Sequence, residues 1–73
     1  MVLISPSYRQ AAGVSVAMVS DDLFSLLTPS ETLGFVHKVG SVYVSLSGSD
    51  LSHAVEVGQS LSWDRAVEIV RSA

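Results

Sequence analysis

The sequence predicts an α+β fold. It reads as a three- or four-stranded antiparallel sheet with a hairpin over residues 33–47 at its centre, a C-terminal amphipathic helix over 62–72 packed on one face, and short N-terminal helical cover. Two stretches carry that reading. Between 33 and 47, Leu33, Phe35, His37 and Val39 alternate with Gly34, Val36 and Lys38. Beyond Gly40-Ser41, Val42, Val44 and Leu46 alternate with Tyr43, Ser45 and Ser47. At the C-terminal end, Trp63, Ala66, Val67 and Val70 form one helical stripe widened by Ile69 and Ala73. Asp64, Arg65, Glu68, Arg71 and Ser72 take the other side.

Glycine at the first central position of a two-residue loop is the type II′ signature, the turn whose twist suits a hairpin. That loop sets the register: Val39 faces Val42, His37 faces Val44 and Phe35 faces Leu46. One face thereby collects most of the apolar side chains, and it is the natural seat for the helix. Ser62 is placed to cap that helix, Asp64 lies in its first turn, and Leu61 is placed to staple against Ala66.

Upstream, Met1 to Ile4 read as a short edge strand or a frayed end. Ser5-Pro6 resembles a helix start, with Tyr8 to Ala12 as the body and Gly13 as the stop. Val14, Val16 and Met18 alternate with Ser15 and Ala17, which favours a strand over 14–19, against a competing continuous helix from Ser7 to Leu27. Ser20-Asp21-Asp22 has the chemistry of a helix N-terminus, so Leu23, Phe24, Leu26 and Leu27 are expected in one or two helical turns, stopped by Thr28-Pro29. Residues 51–59 fit both periods. His53, Val55, Val57 and Gln59 alternate as a strand, while Leu51, Ala54, Val55 and Gly58 fall at helical spacing. Val-Glu-Val and Gly58 tip the reading to a strand.

Composition narrows the function classes. Seventy-three residues make one small domain, and the chain has no cysteine, so neither disulfides nor thiolate metal sites reinforce it. Absent cysteine and an apolar start without a basic n-region favour a cytoplasmic protein, and no stretch is long enough for a membrane helix. Charged residues are 15% against a typical figure of about 25%, while hydrophobic residues are 48%. A domain this apolar and this short is expected to cover part of its surface with a partner or with its own copy.

Chemistry-bearing constellations are sparse. His37, set among Phe35 and Val39, invites a general-base or pH-switch reading, but no nucleophile or orienting carboxylate lies near it in sequence. His53 could join His37, with Asp50 and Glu56, as a metal cluster if the third strand pairs so that both imidazoles meet, but two unrelated histidines are the favoured reading. The chain has no HExxH, CxxC, GxSxG, GxGxxG or Walker-type motif. No catalytic residue, cofactor or metal site is assigned, and the chain is expected not to be an enzyme.

The leading expectation is a self-associating protein-interaction or accessory module, with Val36, Tyr43 and Trp63 as contact residues and 14–19 as a candidate edge. A nucleic-acid-associated regulator using Lys38, Tyr43, Arg65 and Arg71 is the alternative. A helical 51–59 followed by the Ser62 helix would outline a helix-turn-helix. A strand there gives an element order similar to that of double-stranded-RNA-binding and integrase arm-type domains, without their lysine cluster. The net charge of −3 weighs against either.

Overall fold

The computed structural model describes residues 9–11 and 14–73. They form an antiparallel meander followed by a helix. The strands are β1 (Arg9–Ala11), β2 (Val14–Ser20), β3 (Leu23–Leu27), β4 (Thr32–Val39), β5 (Val42–Ser47) and β6 (Val55–Ser60), and the helix is α1 (Trp63–Ser72). A 3₁₀ turn over Leu51–His53 precedes β6. Spatial order equals chain order, so every neighbouring pair is joined by a short connection. The five strands β2 to β6 make the body of the sheet, and the three-residue β1 lines the outer side of β2.

The central hairpin has the expected register. Val39 pairs with Val42, His37 with Val44 and Phe35 with Leu46, around a Gly40 at φ +62°. The C-terminal helix also starts as expected, because the Ser62 hydroxyl accepts the Arg65 backbone N–H at 3.3 Å. Ala66, Val67 and Val70 are buried. Leu61, however, is 76% exposed and makes no staple.

The face on which α1 lies differs from the expected one. It covers β4 to β6 on the side of Gly34, Val36, Tyr43, Ser45 and Gly58, not on the Phe35, His37 and Val44 side. Small residues explain the choice. A Cβ at Gly34 would fall on the Leu46 carbonyl oxygen and 2.8 Å from Val70 Cγ1. One at Gly58 would sit 3.0 Å from Ile69 Cγ2. Between them the Ser45 hydroxyl donates to the Ala66 carbonyl at 2.8 Å, so the one polar side chain under the helix is satisfied. A floor of Gly and Ser admits the helix backbone more closely than a floor of Phe and Leu, and close packing outweighs the apolar count. Val14, Val16, Leu26 and Val36 join Ala66, Val67 and Val70 in one cluster, so the sheet curls toward the helix from its β2 side. At the helix start Trp63 meets Phe24 and Tyr43 edge-on, with centroids 5.2 and 5.7 Å apart.

The N-terminal third corrects the sequence reading. Residues 23–27 form a strand, because four apolar residues ahead of Pro29 are too few to sustain a helix, whereas β2 and β4 offer hydrogen bonds on both sides. The expected helix start at Ser20-Asp21-Asp22 is instead the β2–β3 turn, where the Ser20 hydroxyl donates to Asp22 Oδ1 at 3.0 Å. The Asp22 carbonyl accepts from Lys38 N–H at 2.7 Å, which fixes that turn to β4. Of the helix expected over Tyr8 to Ala12, Arg9–Ala11 is strand β1, and Tyr8 and Ala12 lie outside the described residues, as do Met1 to Ile4 and Ser5-Pro6. The strand expected over 51–59 begins at Val55, after a 3₁₀ turn capped by Asp50. The helix, three strands, helix order therefore gives way to a strand meander with one terminal helix.

If the small-residue floor seats the helix, Gly34→Ala should destabilise the fold by about 3 kcal/mol, the upper range for overpacking a filled site. Urea unfolding followed by circular dichroism measures it. Gly40→Ala, with nothing within 4 Å of the new Cβ, should cost only the strain of its positive φ, about 1–2 kcal/mol.

Candidate functional site

The open feature of this fold is its β6 side. β6 pairs with β5 along one edge, and along its other edge no strand follows among the described residues. Its sequence, Val55-Glu56-Val57-Gly58-Gln59-Ser60, holds a single charge and no proline or lysine of the kind that guards an exposed edge. A register shift opposite Ser45 and Leu46 makes a bulge at Val57, which turns that residue outward. Val55 is 63% exposed and Val57 40%. Leu51 and Leu61, which flank the strand in sequence, are exposed as well, so four of the seven large apolar side chains exposed among the described residues belong to β6 or its flanks, the others being Met18, Val19 and Val39.

Between β6 and α1 runs a groove of about 320 Å³, lined by Val57, Arg65, Glu68, Ile69, Ser72 and Ala73. Gly58 creates it, because without a side chain there Ile69 drops onto the β6 backbone and leaves the outer flank of α1 open. The charges in the groove are unequally engaged. Glu68 accepts from Arg71 at 3.0 Å and from the Ser72 hydroxyl at 3.2 Å. Arg65 forms no ion pair among the described residues. On the opposite side of β6, Gln59 Nε2 donates to Glu56 Oε2 at 2.9 Å. The groove thus presents an apolar floor, one unpaired guanidinium and an exposed strand edge.

The residues singled out from sequence fall in several places. Val36 is fully buried in the core and has no surface to offer a partner. Tyr43 and Trp63 are partly buried and meet edge to face at the start of α1. Along 14–19, Val14 and Val16 are core, whereas Met18 and Val19 are exposed at the far end of β2. Lys38 lies 5.8 Å over the Tyr43 ring. Arg65 and Arg71, six positions apart, leave the helix on different flanks, and Arg71 is tied to Glu68. The four candidate nucleic-acid contacts, Lys38, Tyr43, Arg65 and Arg71, are therefore not one patch.

The two histidines also stay apart. His37 Nε2 stands 3.5 Å from Asp22 Oδ2 in the β2–β3 turn, and His53 Nδ1 stands 3.2 Å from Asp50 Oδ2 in the 3₁₀ turn. Among the described residues no three His, Cys, Asp or Glu side chains gather as a metal site. The Asp22 carboxyl is held below its ordinary value of 3.8 mainly by the Ser20 hydroxyl, with His37 contributing less. Asp50 is lowered first by its hydrogen bond from the Ser52 backbone, then by His53. Both are turn-making carboxylates.

The β6–α1 groove was not read from the sequence, although its signals are present. Val-Glu-Val without proline or lysine marks an unguarded strand, and Gly58 placed against Ile69 marks a close approach. No protein-family model, curated protein or solved structure matches the chain. Among the described residues no helix is long and apolar enough to cross a membrane.

Asp50 gives a pH-dependent check. Its folded pKa lies below its unfolded one, so its contribution to stability is complete above that unfolded value and is lost as pH falls through the folded one. Asp50→Ala should lower the urea midpoint at pH 7, and the difference from wild type should shrink as pH falls through the folded pKa of Asp50. A difference that persists unchanged at low pH would mean that the carboxylate charge is not what caps the turn.

Proposed function

We propose that the chain is a non-enzymatic protein-interaction module that docks polypeptide at the open β6 edge and the groove beside α1. The observation that carries this reading is the coincidence of three features at one place. These are a sheet edge without a strand neighbour among the described residues, exposed Val55 and Val57 on it, and a groove floored by Ile69. An extended segment laid along β6 would satisfy the free backbone groups of the edge and place alternate side chains in the groove. The low charge density of the chain agrees with a surface kept for protein contact.

Selection from a random peptide library tests the reading, with Val57→Lys as counter-target. Val57 is exposed, so the variant should keep its circular dichroism spectrum and unfold within about 0.5 kcal/mol of wild type. Peptides that wild type enriches and the variant releases are the expected result. No enrichment, or enrichment that the variant retains, would contradict docking at this edge.

A further inference from the structure

Resting on that reading, we infer that the occupant of the β6–α1 groove is a second copy of this chain, joined edge to edge about a twofold axis beside β6. Three properties of the edge are self-complementary. The first is charge. The single charge of β6, Glu56, lies on the side of the strand away from the groove and accepts from Gln59, so no charged β6 side chain faces the trough between two copies. The second is apolar area. Leu51, Val55, Val57 and Leu61 line the same edge, and a copy turned by a twofold brings an equal band against them.

The third is the helix flank. A twofold perpendicular to the sheet makes the two α1 helices antiparallel. The helix spans β4 to β6 with β5 beneath its middle, so two copies joined at β6 would set their helices about 14 Å apart, three strand spacings of about 4.8 Å. That exceeds the 8–10 Å of direct helix packing and leaves a trough that only long side chains bridge. Arg65 and Glu68 lie one turn apart on the flank that lines this trough. Antiparallel helices therefore turn the unpaired Arg65 of each copy toward Glu68 of the other, whose carboxylate retains acceptor capacity beyond Arg71 and Ser72. The bulge at Val57 leaves only Gly58 to Ser60 as regular edge, so main-chain pairing is short and the dimer is a reversible one.

Light scattering of the full chain across a hundredfold concentration range tests this. The mass of wild type is expected to climb from 7.7 kDa toward twice that value. Val57→Lys and Arg65→Glu should each hold the chain at monomer mass over the same range with unchanged circular dichroism. The double exchange Arg65→Glu with Glu68→Arg restores opposite charges across the axis and should recover association, an outcome that a purely structural role for either residue would not give. Wild type that stays at monomer mass overturns the inference. If peptides are still selected at the edge in that case, the docking reading stands with a foreign occupant. A dimer that both single variants leave intact overturns it as well, by placing the contact on another surface.

Discussion

The close seating of α1 on Gly34, Ser45 and Gly58 is the constraint on which the rest of the structure depends. Helices pack on sheets through side chains on both layers, and a thinner sheet layer draws the helix backbone inward. Here two glycines and a serine thin that layer, and Ala66 thins the helix above it. The Ser45 to Ala66 hydrogen bond then makes the arrangement specific, because sliding the helix would bury an unsatisfied hydroxyl. From this seat follow the burial of Val67 and Val70 and the position of Trp63 against Phe24 and Tyr43. The same seat leaves the outer flank of α1 and the β6 edge uncovered.

A chain of this size has a small core, so the placement of each element matters more than in a larger domain. Val14, Val16, Leu26 and Val36 come from three different strands and reach the helix cluster only because the sheet curls. Short hairpin connections let the meander form from local pairings, which lowers the entropy of assembling it. The outer face, with Phe35, His37, Val44 and Leu46, gains its burial from neighbours within the sheet instead of from α1.

The legible parts of the fold were those governed by local rules. Gly40-Ser41 determines the hairpin register without help from distant residues, and Ser62 with the Trp63, Ala66, Val67, Val70 stripe defines the helix in the same way. Which face of the hairpin the helix would take was not legible. Counting apolar residues favours Phe35 and Leu46, and only the approach distance at Gly34 and Gly58 reverses that order. Residues 20–27 were misread because Ser-Asp-Asp serves equally as a helix cap and as a hairpin turn. The deciding fact, strand partners on both sides of β3, is non-local. The β6–α1 groove stayed hidden for the same reason, since an edge exists only once the order of six strands is known.

The seat of the helix can be tested directly by measuring nuclear Overhauser effects from the methyl groups of α1. The structure requires cross-peaks from Val70 methyls to the Gly34 α-protons and from Ile69 methyls to the Gly58 α-protons. Cross-peaks from Val67 and Val70 to the Phe35 ring and Leu46 methyls in their place would put the helix on the opposite face. That result would close the groove and contradict the account from the core outward.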